Sequence, residues 1–259
     1  MDAVIIAGGL PEEGEPLYPF TQGTPKSMLD ICGKPMIQWV LDALEHAKMI
    51  DRIVIVGMGQ VEGLQSEKVF CCNPDQGSML QNIRSGVMRV MADNPDAQHV
   101  AVVSADIPAI LPEQVDWVVE TAQQSDDDLY YNVVTREVME KRFPGSNRSY
   151  AHLKDMEVCG GDLNVIRTRT VTGNDELWER IIASRKNVIK QAALIGYDTL
   201  ILLLLRQITL ERAVTKVTKR IHLSGRALVC PYAEVAMDVD KPHQLELMRR
   251  DLCQRTQTG

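Results

Sequence analysis

A five-residue apolar run at positions 3–7, AVIIA, followed at once by Gly8 and Gly9, limits what this chain can fold into more than any other feature. It is too short for a helix and rich in β-branched side chains, so it reads as a buried strand. The two glycines permit the sharp turn that a strand leaving a parallel sheet must make, and they can present bare backbone N–H groups to a phosphate. A Gly-Gly turn by itself also opens many ordinary α/β domains. A polar stretch then leads to Pro25-Lys26-Ser27, a restricted backbone carrying one cation. Gly33-Lys34-Pro35 comes next, opening into MIQWVLDALEHA, an amphipathic helix with proline in its first turn.

Strand and helix patterns continue to alternate. DRIVIVGMG reads as a second buried strand and KVFCC as a short third one. NPDQGSMLQNIRSGVMRV is a turn and a helix with Gly77 and Ser78 at its start, either a capped solvated helix or an anion-attracting terminus. HVAVVS is a fourth strand that runs into Ala105-Asp106-Ile107-Pro108. A carboxylate there sits where open α/β sheets bind ligands, unless it caps the helix opening near Pro112. From residue 126 the pattern shifts to an acidic turn, a strand, and loops alternating with short strands around Gly160-Gly161-Asp162. Residues 174–221 read as mostly helical, with Asn174 as a cap, Leu177, Ile181 and Ile182 on one stripe, and a break at Gly196. RALVC is a late strand. AMDVDKPHQLELM carries Asp238 and Asp240 into a last helix, with Asp240 also suited to be its N-cap. This alternation predicts an α/β fold, a mainly parallel Rossmann-like sheet with helices on both faces.

The bounds are set by size and charge. A chain of 259 residues buries one substantial core. Its net charge of −7 excludes a nucleic-acid binder that works through a basic face. Any bound polyanion must be held by local cations or a metal, because screening over about 8 Å hides distant charge. Six cysteines without a CxxC pair or disulfide-like spacing point to reduced thiols and a cytoplasmic setting. No basic leader precedes the first strand. ALIGYDTLILLLL is too short to span a membrane and carries Asp198, so it is expected to be a buried core helix, with no membrane partner. Gly57 and Gly59 invite a dinucleotide-binding reading, but Glu62 stands where the third glycine belongs, which speaks against a dehydrogenase. The histidines show no metal-ligand spacing.

Taken in order, AGG at the end of the first strand, PKSML, GKPMI, ADIP and DVDKP resemble the nucleotidyltransferases that join a nucleotide to a sugar phosphate, a polyol phosphate or the molybdenum cofactor. The resemblance implies a nucleotide-diphospho-sugar transferase type of fold over residues 1–259, with 174–221 as a helical insertion or lid. It implies that Ala7, Gly8 and Gly9 hold a nucleoside triphosphate and that Lys26 contacts its phosphates. By the same resemblance Gly77, Ser78 and Asn82, with Arg84 beside them, meet the base and ribose. Gly160, Gly161 and Asp162 meet the acceptor, and Asp106 holds Mg²⁺ together with Asp238 or Asp240. Lys26 and Asp106 would be the catalytic pair. The implied partners are CTP or GTP and a phosphorylated small molecule, and a homodimer is compatible with them. Arg185, Lys186 and Lys190 lie on the polar side of the insertion, either closing on phosphates or simply solvated.

Three departures from the family pattern matter. Pro16 stands where an arginine usually reaches the triphosphate, and Pro11, Glu12 and Glu13 look inserted beside it. Asp162 replaces a usual asparagine, exchanging an amide donor for an acceptor-only carboxylate, so an anionic group beside it is not expected. The loop departures support a second reading, a nucleotide- or sugar-phosphate-binding module with weakened catalysis.

Overall fold

The computed structural model describes residues 1–59, 63–172, 178 and 196–258. Its first strand is β1 (Asp2–Ile6), followed by a small hairpin of β2 (Asp30–Ile31) and β3 (Lys34–Pro35). Then come β4 (Ile53–Val56), β5 (Val69–Asn73), β6 (His99–Ser104) and β7 (Leu129–Thr135). The last are β8 (Ala151–His152), β9 (Glu157–Gly160), β10 (Leu163–Arg167) and β11 (Gly225–Val229). Apart from the hairpin they form one nine-stranded sheet in the order β5-β4-β1-β6-β10-β7-β9-β8, with β11 also paired to β7. The sheet is mixed but mostly parallel, as the alternation predicts: β9 and β10 alone run against the other strands.

Among the described residues the helices are α1 (Tyr18–Thr21), α2 (Met36–His46), α3 (Met79–Asp93), α4 (Pro112–Ala122) and α5 (Arg136–Arg142). They continue with α6 (Arg169–Thr172), α7 (Tyr197–Leu204), α8 (Leu210–Ile221) and α9 (Pro242–Thr258). Strand β1 shows why helices must cover both faces. Its alternate side chains Ala3 and Ile5 join the apolar layer under α2 and α4, while Val4 and Ile6 point to the layer under α3. A strand buried on both faces has no room for polar alternation, which is why AVIIA reads as a continuous apolar run.

Three expectations need correction or placement. The cysteines are not all free: Cys32, between β2 and β3, is bonded to Cys253 on α9 although 221 positions separate them. Linear spacing hid the pair because α9 packs onto β2 only in the folded chain. The apolar helix α7 exists but is not a buried core helix: among the described residues it packs against β8 and α8, and its Ile201 and Leu204 are exposed. The proposed cap Asn174, the stripe of Leu177, Ile181 and Ile182, the cations Arg185, Lys186 and Lys190, and Glu62 lie outside the described residues. Among the described residues no helix is long and apolar enough to cross a membrane.

The Cys32–Cys253 bond closes a loop of most of the chain. Reducing it, or replacing Cys253 by serine, is expected to lower the unfolding free energy by about 2–4 kcal/mol. Urea unfolding with and without dithiothreitol measures this. Identical curves would show that the thiols are not joined in solution.

Candidate functional site

The site forms where β1 and β6 end side by side at the carboxyl edge of the sheet, which is where open α/β sheets place ligands. The chain leaves β1 into Gly8 and Gly9, and the Gly9 carbonyl accepts from the Lys26 backbone N–H at 2.9 Å. Ser27 Oγ donates to the Ala7 carbonyl at 3.3 Å. These two bonds fix the turn after Pro25 against the glycine loop, so the Lys26 side chain has a defined origin. At β6, the Ala105 N–H donates to Ile6 O at 3.0 Å, and the Asp106 carbonyl accepts from Val239 N at 3.0 Å. That second bond draws the C-terminal Asp238-Val239-Asp240 segment to the middle of the chain.

Three segments far apart in sequence thus meet around one cation. Lys26 Nζ lies 2.6 Å from Asp106 Oδ2 and 2.6 Å from Asp240 Oδ1. Burial pulls the Lys26 ammonium down, but the two carboxylates outweigh it and its pKa is raised above the ordinary lysine value. Burial likewise pushes Asp240 up, and Lys26 more than reverses this, holding it below the usual carboxylate range. Asp106 does not cap α4. The residue before that helix is Leu111, whose backbone N–H donates to Gln114 Oε1.

A second cation, which sequence reasoning missed, occupies the neighbouring half of the site. Arg148 pairs through Nη1 with Asp238 Oδ1, lies 3.8 Å through Nη2 from Asp162 Oδ2, and donates to the Gly160 carbonyl at 3.3 Å. The two tail carboxylates therefore divide: Asp240 faces Lys26 and Asp238 faces Arg148. The only sequence signal for Arg148 is a single cation in the Gly-Ser-Asn loop after α5, in a stretch with no periodicity to place it.

Gly160-Gly161-Asp162 is not a plain β-turn. Val133 of β7 lies opposite Gly160 and Tyr130 opposite Val165, so Gly161 and Asp162 are extra residues that bulge between β9 and β10. The bulge is held by Gly161 N to Asn132 O, Asp162 N to Val235 O, and Ser104 N to Asp162 O, each 2.8 Å. It turns Asp162 toward Asp106 and Asp238. Burial, then repulsion from these two carboxylates, pushes the Asp162 carboxyl up to about 8, with Arg148 opposing. A raised Asp162 carboxyl thus stands beside the Arg148 guanidinium. Burial, partly offset by Arg148, raises Asp238 to about 6.

This has a measurable sign. A carboxyl raised in the folded state keeps a proton that the unfolded chain has lost, so stability falls as pH rises from the ordinary carboxylate range to about 8. Asp162→Asn removes that slope. The melting temperature of the variant relative to the parent should climb from pH 5 to 8 and then level off, and a difference independent of pH would contradict the burial of Asp162.

Beside Lys26 opens a cavity of about 620 Å³ lined by Gly8, Gly9, Asp240, Gly77, Ser78 and Asn82, and also by Glu12, Glu15 and Pro16. Ala7 lines a smaller cleft of about 150 Å³ with Lys26 and Asp106. Ser78 is the N-cap of α3, accepting from Gln81 N at 3.2 Å, so the capped-helix reading holds while the terminus also faces the cavity. Asn82 is buried and anchors the loop before α3: its Nδ2 donates to Asp75 Oδ1 and its Oδ1 accepts from Gln76 N, both at 2.7 Å. In the acidic loop, Glu15 Oε2 accepts from Glu12 N at 3.1 Å, so that carboxylate is engaged by its own turn.

The donor set suits a hard cation. Asp106 Oδ1 is buried with no hydrogen-bond partner, and Asp240 reaches the same point as Asp106 through Lys26. Among the described residues no group of three or more His, Cys, Asp or Glu forms a ready-made cage. Magnesium does not need one, because it usually takes one or two carboxylates and completes its shell with water and substrate phosphates.

Comparison with known proteins adds a lineage to this geometry. Residues 3–169 match the family model described as a MobA-like NTP transferase domain. The structure of a hypothetical transferase from Thermus thermophilus is 32% identical with a TM-score of 0.80, covering 95% of this chain and 100% of that one. A bifunctional protein GlmU of Methanococcus maripaludis is 33% identical over 89 residues, 33% of this chain and 19% of that protein. A probable molybdenum cofactor guanylyltransferase of Pyrococcus horikoshii is 27% identical over 103 residues, 40% of this chain and 50% of that protein. The match thus spans half or less of the length of the last two relatives.

Proposed function

We propose a reaction for this chain from one premise: it belongs to the MobA-like NTP transferase family. The reaction is transfer of a nucleoside monophosphate to a phosphorylated small molecule, a sugar, polyol or cofactor. An acceptor oxygen forms a bond to the α-phosphorus as the bond to the β-phosphate oxygen breaks, and pyrophosphate leaves. Such chemistry asks the protein mainly to position reactants and to neutralise spreading charge. The observation that carries the reading is the meeting of Lys26, Asp106 and Asp240 beside a cavity walled by the glycine loop and the start of α3.

Each residue then has a task. Gly8 and Gly9 let backbone amides approach the triphosphate, and Lys26 neutralises charge on it. Gly77, Ser78 and Asn82 shape the wall where base and ribose lie. Asp106 and Asp240 would hold Mg²⁺, with Asp238 behind them and steadied by Arg148. The ion, when bound, supplies Lewis-acid neutralisation at phosphate oxygens. The Gly160-Gly161-Asp162 bulge and Arg148 face the acceptor, with the guanidinium suited to its anionic group. CTP or GTP is the favoured donor, the guanine nucleotide being supported by the guanylyltransferase relative. Residues 1–259 are read as one domain with 174–221 an insertion within it.

The acidic loop favours a second reading, a binding module with weakened catalysis, because Glu12, Glu15 and Pro16 line the cavity where the family expects an arginine. Pyrophosphate release from each of the four common nucleoside triphosphates, with Mg²⁺ and a panel of phosphorylated acceptors, separates the two. The transferase reading expects turnover with one base preferred, lost in Asp106→Ala. Nucleotide binding without turnover across the panel selects the module.

A further inference from the structure

Gly160 has a reason to be glycine that its backbone does not supply. Its φ lies outside the left-handed region, so other residues could adopt it. What a side chain there would meet is Tyr131: a Cβ on Gly160 would lie 2.2 Å from the tyrosine hydroxyl, 3.3 Å from Cζ and 3.7 Å from Cε1. Tyr131 stands next to Tyr130 on β7 but points to the opposite face of the sheet. Tyr130 is fully buried in the layer under α2 and α4, whereas Tyr131 is 45% exposed and belongs to neither apolar layer. Among the described residues its hydroxyl has no hydrogen-bond partner. Partial burial, then the Asp162 carboxyl, raises that hydroxyl above the ordinary tyrosine value, so it keeps its proton and can donate. The same glycine anchors Arg148, whose Nη2 donates to the Gly160 carbonyl at 3.3 Å. A phenolic hydroxyl, a guanidinium and the Asp162 carboxyl thus gather around one residue of the bulge, with part of an aromatic ring open beside them.

We propose that Tyr131 positions the acceptor and selects a phosphorylated cyclic sugar. The inference rests on the transferase reading and narrows its acceptor. Arg148 is bound to Asp238, two residues from Asp240, so a phosphate on the guanidinium lies toward the Lys26 cluster. The rest of the acceptor then extends past Gly160 to Tyr131. A sugar ring is polar around its rim and apolar on its C–H faces. Its face packs on the tyrosine ring while its hydroxyls meet the Tyr131 hydroxyl and Asp162. An open-chain polyol phosphate has no such face to lay on the ring, and it gives up more rotational freedom when held. The absence of a side chain at Gly160 keeps the tyrosine over the bulge, which is the role the Cβ distances assign to it.

Pyrophosphate release by the full chain, measured with glucose and N-acetylglucosamine phosphates, ribitol and erythritol phosphates and a phosphorylated pterin, tests this. The expected result is turnover with the ring sugars. Tyr131→Ala should raise the sugar phosphate KM by about tenfold, the loss of one aromatic face and one hydrogen bond, and Tyr131→Phe should raise it less. The nucleotide KM should stay at the parental value in both, whereas a merely structural role would move the two constants together. Gly160→Ala should reproduce the loss, because its Cβ drives the tyrosine off the bulge, and circular dichroism checks that each variant is folded. Turnover that favours the polyol phosphates or the pterin, a sugar phosphate KM indifferent to Tyr131→Ala, or both constants rising together would overturn the proposal and leave the transferase reading standing. No turnover with any acceptor would overturn that reading instead. Calorimetric titration with the same sugar phosphates then decides for Tyr131: binding weakened by Tyr131→Ala upholds its role, and no binding, or binding unchanged in the variant, removes it.

Discussion

Lys26→Ala should lower the rate of pyrophosphate release by about two to three orders of magnitude, the usual loss when one donor aimed at developing charge is removed. The expectation rests on two contacts of 2.6 Å that put the ammonium between Asp106 and Asp240, at the edge of the cavity. The substitution has a second consequence. Without the ammonium, Asp240 loses the partner that holds its pKa down, and the two carboxylates face each other uncompensated. In the parent, a lowered carboxyl contributes stability above the ordinary carboxylate range that is lost as pH falls through it. The variant should therefore be least stable relative to the parent near neutral pH, with the gap closing in acid. Lys26→Arg keeps the charge but replaces a compact ammonium by a planar fork, so it should recover stability better than rate. Steady-state release by the three proteins decides the matter. A parental rate in Lys26→Ala would remove Lys26 from the chemistry.

The second large effect is expected at a residue outside the reacting atoms. Gly57 comes directly after β4 with φ of +116°, and a Cβ there would lie 2.0 Å from Gly8 N, 2.4 Å from Gly8 Cα and 2.8 Å from Ala7 C. These are backbone atoms of the glycine loop and cannot swing aside as a side chain can. Gly57→Ala should cost about 2–5 kcal/mol of stability from overpacking and a disfavoured φ together. It should also weaken nucleotide binding, because relief of the clash displaces Gly8. Gly9→Ala is the control for stability, since nothing lies within 4 Å of a Cβ at that position. Urea unfolding and nucleotide titration on the same samples separate the effects. Unfolding curves alike for Gly57→Ala and Gly9→Ala would mean that the loop is not packed as described.

The site was legible where its residues sit at element ends. AVIIA reads as a buried strand, which puts Gly8 and Gly9 at the carboxyl edge of the sheet, and Asp106 lies just beyond β6 in the same way. Lys26 could be named because Pro25 marks its turn and the order of the motifs resembles a known family. Linear pattern could not supply the choice between alternatives that only tertiary neighbours make. Asp238 and Asp240 are two residues apart, and Arg148, invisible in an irregular loop, decides which of them faces Lys26. The protonation of Asp162 depends on carboxylates from two other segments. The Cys32–Cys253 bond needs α9 beside the hairpin, and the exposure of α7 contradicts its composition because burial depends on what surrounds a helix.

The central claim is that one triphosphate and one divalent ion are gathered by Lys26, Asp106 and Asp240. A crystal soaked with Mg²⁺ and CTP or GTP tests it most directly. The account predicts a metal on Asp106 and Asp240, phosphates against Gly8 and Gly9, and the Lys26 ammonium on a phosphate oxygen. Nucleotide bound elsewhere, or a Lys26 still closed on both aspartates with no phosphate beside it, would contradict it.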